Sequence, residues 1–121
     1  MRDKMIMIVD DAYLYREVLK LHLLKSFRHV TVVPSGEKAL EMSRQAAYDL
    51  VILDIHLPGL SGWAVLDKMK LYAPGTKVII ATSDEREREK CRAGNREAFD
   101  VLEKPFSLEQ LDDLISRALS L

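Results

Sequence analysis

Five short apolar runs punctuate the chain: Met5–Val9, Val30–Val33, Leu50–Leu53, Val78–Ala81 and Phe99–Leu102. Most are continuous rather than alternating, the pattern of strands covered on both faces. The last is the weakest, because Asp100 interrupts it. Segments with helical spacing lie between the runs. Leu14, Val18 and Leu21 mark the apolar face of the first helix, Ala39, Leu40 and Ser43 share a face of the second, and Val65, Leu66 and Met69 mark the third. The fourth, around Asp84–Arg92, is so charged that no apolar face stands out. Leu108, Leu111, Ile115 and Ala118 form a clean stripe in the fifth.

The boundaries carry matching chemistry. Ser35 is placed to cap the second helix. Gly94 is expected to end the fourth in the left-handed conformation that glycine tolerates. Ser107 and Gln110 have the spacing of a capping box, in which hydroxyl and amide satisfy orphan backbone groups. Strand and helix thus alternate five times with short joins. That pattern implies an α/β fold with a mostly parallel sheet and helices on both faces. No internal repeat, low-complexity tract or linker interrupts it.

A length of 121 residues fits one domain, and 48% hydrophobic residues can build a core without disulfides or a structural metal. The net charge of −1 argues against a broad nucleic-acid surface. The single cysteine, Cys91, lies among charged residues and excludes an intrachain disulfide, which suits a reducing cytosol. Met5–Val9 is too short for a signal-peptide core, and no stretch approaches the roughly 20 apolar residues that span a bilayer. A cytoplasmic protein is the expectation.

In an open parallel sheet, ligands gather at the carboxyl ends of the strands. The first run ends in Asp10-Asp11, the third in Asp54, the fourth in Thr82-Ser83 and the fifth in Lys104-Pro105. The second ends in Pro34-Ser35, which offers nothing distinctive. Three carboxylates in one pocket repel and need compensation. A hard divalent cation such as Mg2+ supplies it, with about six oxygen ligands near 2.1 Å, some of them water. Lys104 adds a mobile positive charge and Thr82 a hydroxyl donor. A cation, an ammonium and a hydroxyl around one carboxylate suit phosphoryl transfer, where positioning and charge neutralisation do most of the catalysis. Each group also has a plain alternative. Asp10-Asp11 could be a helix cap, Asp54 a turn residue, Thr82-Ser83 caps, and Lys104 a surface lysine. Their joint fall at one end of consecutive strands favours the site.

The ordered set Ile8-Val9-Asp10-Asp11, Leu53-Asp54-Ile55-His56-Leu57-Pro58-Gly59-Leu60-Ser61-Gly62, Ile80-Ala81-Thr82-Ser83 and Glu103-Lys104-Pro105-Phe106 resembles the receiver domain of two-component response regulators. The resemblance covers essentially the whole chain and implies one receiver domain over residues 1–121. It implies a doubly wound, five-stranded parallel sheet, flavodoxin-like, in the order 2-1-3-4-5. It also implies that Asp54 accepts a phosphoryl group from a sensor histidine kinase or phosphotransfer protein. Asp11 and Asp54 would bind Mg2+ directly, Asp10 mainly through water, and His56 through its backbone carbonyl. Thr82 and Lys104 would contact the phosphoryl oxygens and carry the switch. Lys104-Pro105 would be a cis peptide. The protein would not be a turnover enzyme beyond its own phosphorylation and autodephosphorylation. A homodimer through the fourth helix, fifth strand and fifth helix is a further implied partner, with no membrane and no direct nucleic-acid contact.

Two positions depart from the family. Val101 stands where an aromatic residue usually reports the switch, three positions before the lysine. Phe99 lies too far along the strand to substitute. His56 is the second departure. With Asp84 it flanks the path of the water that hydrolyses the acyl phosphate in this family, so the pair could tune phosphoryl lifetime, with a pH dependence from the imidazole. The plainer reading leaves the His56 ring in solvent. Trp63 is expected to pack at the start of the third helix, and the charged run Asp84–Arg92 to be a solvated face or a docking surface.

Three other readings compete. A haloacid-dehalogenase-type phosphatase uses similar groups, but it places its nucleophile after the first strand with an aspartate two residues on, where this chain has Asp54 followed by His56. A flavin-binding flavodoxin would want a hydroxyl-rich loop in place of Asp10-Asp11. A phosphorylation-independent interaction module would need Val101 to signify lost switching.

Overall fold

A computed structural model describes residues 3–92 and 98–121 of the chain. Strands β1 (Met5–Val9), β2 (His29–Val33), β3 (Leu50–Asp54), β4 (Lys77–Thr82) and β5 (Asp100–Glu103) alternate with helices α1 (Tyr13–Leu23), α2 (Gly36–Gln45), α3 (Gly62–Tyr72), α4 (Glu85–Arg92) and α5 (Leu108–Leu119). The strands form one parallel sheet in the order β2-β1-β3-β4-β5. This is the doubly wound topology expected from the sequence. The expected helix stop at Gly94 and the side chain of Cys91 lie outside the described residues.

The sheet separates two cores. On one face Met7, Val9, Val51, Leu53 and Ile80 pack against Ala39 and Leu40 of α2 and Val65, Leu66 and Met69 of α3. On the other, Ile6, Ile8, Ile52 and Ile79 pack against Leu19 and Leu23 of α1 and Leu111, Leu114 and Ile115 of α5. Each such Val, Leu, Ile or Met side chain, taken fully out of water, contributes about 1.5–3 kcal/mol. β3 is buried along its whole length, which explains its unbroken apolar run.

Helix α1 turns a different face inward from the one its spacing suggested. Leu14, Val18 and Leu21 are 75%, 55% and 68% exposed, while Leu19 and Leu23 are buried. The helix carries two apolar stripes one position apart, and the sheet takes the one through Tyr15, Leu19 and Leu23. In α5 the expected stripe holds at Leu111, Ile115 and Ala118, whereas Leu108 is 40% exposed and Leu114 joins the core instead.

Helix starts follow the capping chemistry. Ser35 Oγ accepts from Lys38 N at 3.2 Å, and Ser61 Oγ accepts from Ala64 N at 3.2 Å. Ser107 and Gln110 complete the capping box through bonds of 3.0 and 2.9 Å. Helix α4 is seated differently. Arg88 is buried on its inner side and donates to Glu103 of β5 at 2.9 Å, while Trp63 of α3 donates to Glu87. An ion pair and a hydrogen bond therefore stand where other helices use apolar contacts, so the charged run is only partly a solvated face.

Candidate functional site

Register gathers the polar groups. Val9 pairs with Leu53, Asp54 with Ala81 and Thr82 with Glu103, so Asp10, Asp54, Thr82 and Lys104 emerge together at the carboxyl edge. Asp10, Asp54 and Thr82 are buried, and Asp11 is exposed at the rim. Each of the three aspartates offers an oxygen, and these oxygens lie within 4.8 Å of one another. An all-oxygen donor set of that size fits a hard divalent cation.

Hydrogen bonds fix the carboxylates. Asp10 Oδ1 accepts from Ala12 N at 2.9 Å, and Arg16 Nη1 donates to the Asp10 carbonyl at 2.7 Å. Asp54 Oδ1 accepts from His56 N at 3.1 Å, which closes a tight turn after β3. The Asp54 loop is clamped from behind. Gly62 N donates to Ile55 O at 3.0 Å, and a side chain at position 62 would collide with the Asp54 carbonyl. Gly59 supplies the turn before it with a φ of +72°, a conformation glycine adopts at no steric cost.

Lys104 reaches over the site from the end of β5. Its Nζ lies 2.7 Å from Asp10 Oδ2 and 3.6 Å from Asp54 Oδ2. Lys104–Pro105 is a cis peptide, as the sequence resemblance implied. Burial raises the Asp54 carboxyl above its usual range. Lys104 and the His56 N–H pull it back, while Asp10 and Asp11 push it further up. Among the described residues one ammonium, that of Lys104, meets these three carboxylates, so the pocket is short of positive charge.

The opposite rim belongs to β4 and α4. Thr82 Oγ1 accepts from Asp84 N at 3.0 Å, which ties the hydroxyl to the start of α4. The His56 ring is exposed, yet its Nε2 lies 3.5 Å from Asp84 Oδ2. Burial works to raise Asp84, but the N–H groups of Arg86 and Glu87 and the charges of Arg86 and His56 together hold it below the ordinary carboxylate range. Val101 is half-buried in the core shared with α2 and α3 and pairs with Ile80. Phe99 lies outside β5, where its ring meets Lys77 Nζ at 5.7 Å, so it does not reach the Val101 position.

Two neighbours of the site went unread in the sequence. Arg16 braces the Asp10 carbonyl, and Tyr15 lays its ring beneath Lys104, with Nζ 4.7 Å from the centroid. Burial, then the charges of Asp10 and Asp54, push the Tyr15 phenol above its usual range, so the ring stays neutral. No motif spacing signals either residue.

Known proteins share this fold. Residues 6–116 match the family described as response regulator receiver domain. The chain is 38% identical over 107 residues to the transcriptional activator protein PfeR of Pseudomonas aeruginosa, covering 88% of this chain and 35% of PfeR. It is 32% identical over 120 residues to the DNA-binding transcriptional regulator NtrC of Escherichia coli, covering 99% of this chain and 26% of NtrC. It therefore spans about a third or less of these two relatives. Among solved structures, the response regulator TrrA of Thermotoga maritima, in complex with Mg(2+)-BeF, superposes with a TM-score of 0.85 at 31% identity, over 96% of this chain and 99% of that one.

Proposed function

Because the chain belongs to the response regulator receiver domain family, we propose that Asp54 is its phosphoacceptor in a two-component system, charged by a sensor histidine kinase or a phosphotransfer protein. One observation carries the reading: three carboxylates converge within 4.8 Å, and among the described residues one ammonium, Lys104, bridges two of them. Such a pocket is built to receive more positive charge and then an anion. Asp10, Asp11, Asp54 and the His56 carbonyl would hold Mg2+, as the acidic cluster and the likeness to TrrA support. When bound, the ion neutralises the carboxylates and the incoming phosphoryl oxygens.

In the transfer, an Asp54 carboxylate oxygen attacks phosphorus. The P–O bond forms, the P–N bond to the donor imidazole breaks, and that nitrogen takes up a proton. Lys104 follows the new charge from Asp10 toward the phosphoryl oxygens, a move of small amplitude given its 3.6 Å distance from Asp54. Thr82 donates its hydroxyl to the phosphoryl group. Its Oγ1 now accepts from Asp84 N, so that turn loosens the start of α4. With Val101 in place of an aromatic, this loop and helix shift is the readout we assign.

His56 and Asp84 are assigned to tuning the lifetime of the acyl phosphate, supported by their 3.5 Å approach across the rim. Dephosphorylation rates of His56→Ala across pH test this, and an unchanged rate and profile would remove it. Docking of a protein phosphodonor finds support in the exposed stripe Leu14, Val18 and Leu21 on α1, which begins two residues after Asp11. No helix among the described residues is long and apolar enough to cross a membrane, and a cytoplasmic setting follows from the family reading.

Incubation with acetyl phosphate and Mg2+, followed by intact mass measurement, tests the proposal. A single labile phosphoryl adduct that disappears in Asp54→Asn is expected. Donor turnover independent of Asp54 would point to a phosphatase, and no reaction to an interaction module.

A further inference from the structure

Outside the acidic groups, one aromatic side chain touches the ammonium of the site. Tyr15 stands in the first turn of α1, and Lys104 Nζ lies 4.7 Å from its ring centroid. That is inside the distance of roughly 6 Å at which a ring face attracts a cation. Phe106, two residues beyond Lys104, meets Tyr15 edge to face, with centroids 5.8 Å apart and an interplanar angle of 73°. The ring is therefore held by Phe106 while it supports Lys104.

The hydroxyl does not explain this tyrosine. Its oxygen is buried and makes no hydrogen bond among the described residues. The ring packs edge to face against Phe106, and Lys104 Nζ lies over it. What an aromatic adds beyond that packing is a negative ring face under a lysine. Lys104 has a long flexible stem, and ordering such a side chain costs rotamer entropy. A third contact, beside Asp10 and Asp54, narrows where the ammonium can go.

We propose that Tyr15 is a positioning residue for phosphoryl transfer: its ring face holds the Lys104 ammonium at the mouth of the acidic site, ready for the incoming phosphoryl oxygens. The inference rests on Asp54 being the phosphoacceptor. It adds a residue whose part in the reaction is exerted through Lys104 alone.

The test compares Tyr15→Leu and Tyr15→Phe with the unaltered chain. Tyr15→Met replaces Tyr15→Leu if the latter does not fold. Phosphorylation of Asp54 by acetyl phosphate should slow about threefold to thirtyfold in Tyr15→Leu, the span of a cation–ring contact. Tyr15→Phe, which keeps the ring, should stay within about twofold. In a Lys104→Ala background, Tyr15→Leu should change the rate no further, because coupled residues are not additive. Nuclear magnetic resonance supplies a readout without phosphorylation: the ε-methylene protons of Lys104 should be shifted by the ring current in the unaltered chain and in Tyr15→Phe, and not in Tyr15→Leu. Equal losses in Tyr15→Phe and Tyr15→Leu, or the same loss with and without Lys104, would overturn the proposal while leaving Asp54 as acceptor. An unaltered chain that takes no phosphoryl group would overturn both readings.

Discussion

The Lys104 ammonium rests on Asp10, 2.7 Å from Oδ2, rather than on Asp54, 3.6 Å away. The lysine thus sits on a neighbour of the proposed acceptor and holds positive charge in the pocket that Mg2+ would enter. Removing it should help the ion and hurt the reaction. We expect Lys104→Gln to bind Mg2+ about tenfold more tightly, since one like charge a few ångströms away costs on the order of 1–4 kcal/mol before screening. The same variant should accept phosphate from acetyl phosphate more slowly. Calorimetric Mg2+ titration checks the first half, and an unchanged or weaker affinity would contradict it.

Asp54 titrates in a direction that makes the site a stability cost. Burial raises its carboxyl above the ordinary 3.8, so the folded state disfavours the ionised form. Below 3.8 the group is protonated in both folded and unfolded chains and costs nothing. As pH rises through the folded value, that cost develops and persists at neutrality. Asp54→Asn should therefore raise Tm at pH 7 in magnesium-free buffer. The gain should vanish as pH falls toward 3. Thermal melts over that range decide the matter, and a lower Tm at pH 7 would refute it.

Helix α4 depends on charge for its seat. Arg88 is buried while its partner Glu103 keeps a side chain 60% exposed, so the pair is only half removed from water. Glu103→Gln leaves the guanidinium without its anion and should cost about 1–3 kcal/mol, below the value for a fully buried pair. Arg88→Met, which refills the space with apolar atoms, should cost less. Urea midpoints compare the two, and the reverse order would show that the methylene stem of Arg88, not its charge, does the holding.

The exposed stripe of α1 separates docking from chemistry. Val18→Asp places a charge where 55% of the residue already meets water, so stability should shift by no more than about 0.5 kcal/mol. Transfer from a protein phosphodonor should slow strongly, while acetyl phosphate should react as before. Slowing with both donors would place Val18 in the site rather than on a docking face.

Much of this molecule is legible in its residues. β1 reads directly from the run Met5–Val9, because strands buried on both faces leave no polar position to blur their ends. The site is legible because strand-end residues converge by topology, so Asp10, Asp54, Thr82 and Lys104 need no contact information. The facing of α1 is not legible. Seven of its eleven residues are apolar or aromatic, and two stripes satisfy the same periodicity. Docking on the sheet selects between them, and Tyr15 reaches Lys104 only after that selection. Arg88 is hidden for a related reason: among so many charges in α4, the one that turns inward is fixed by Glu103 on β5.

Gly62 offers no functional group, yet its bare α-carbon is what lets α3 start against the backbone of Asp54 and Ile55. In a mutational screen scored on signalling, this position should therefore rank with Asp10, Asp11 and Asp54. Gly62→Ala would give a null phenotype with every charged and hydroxyl group of the site still in the chain.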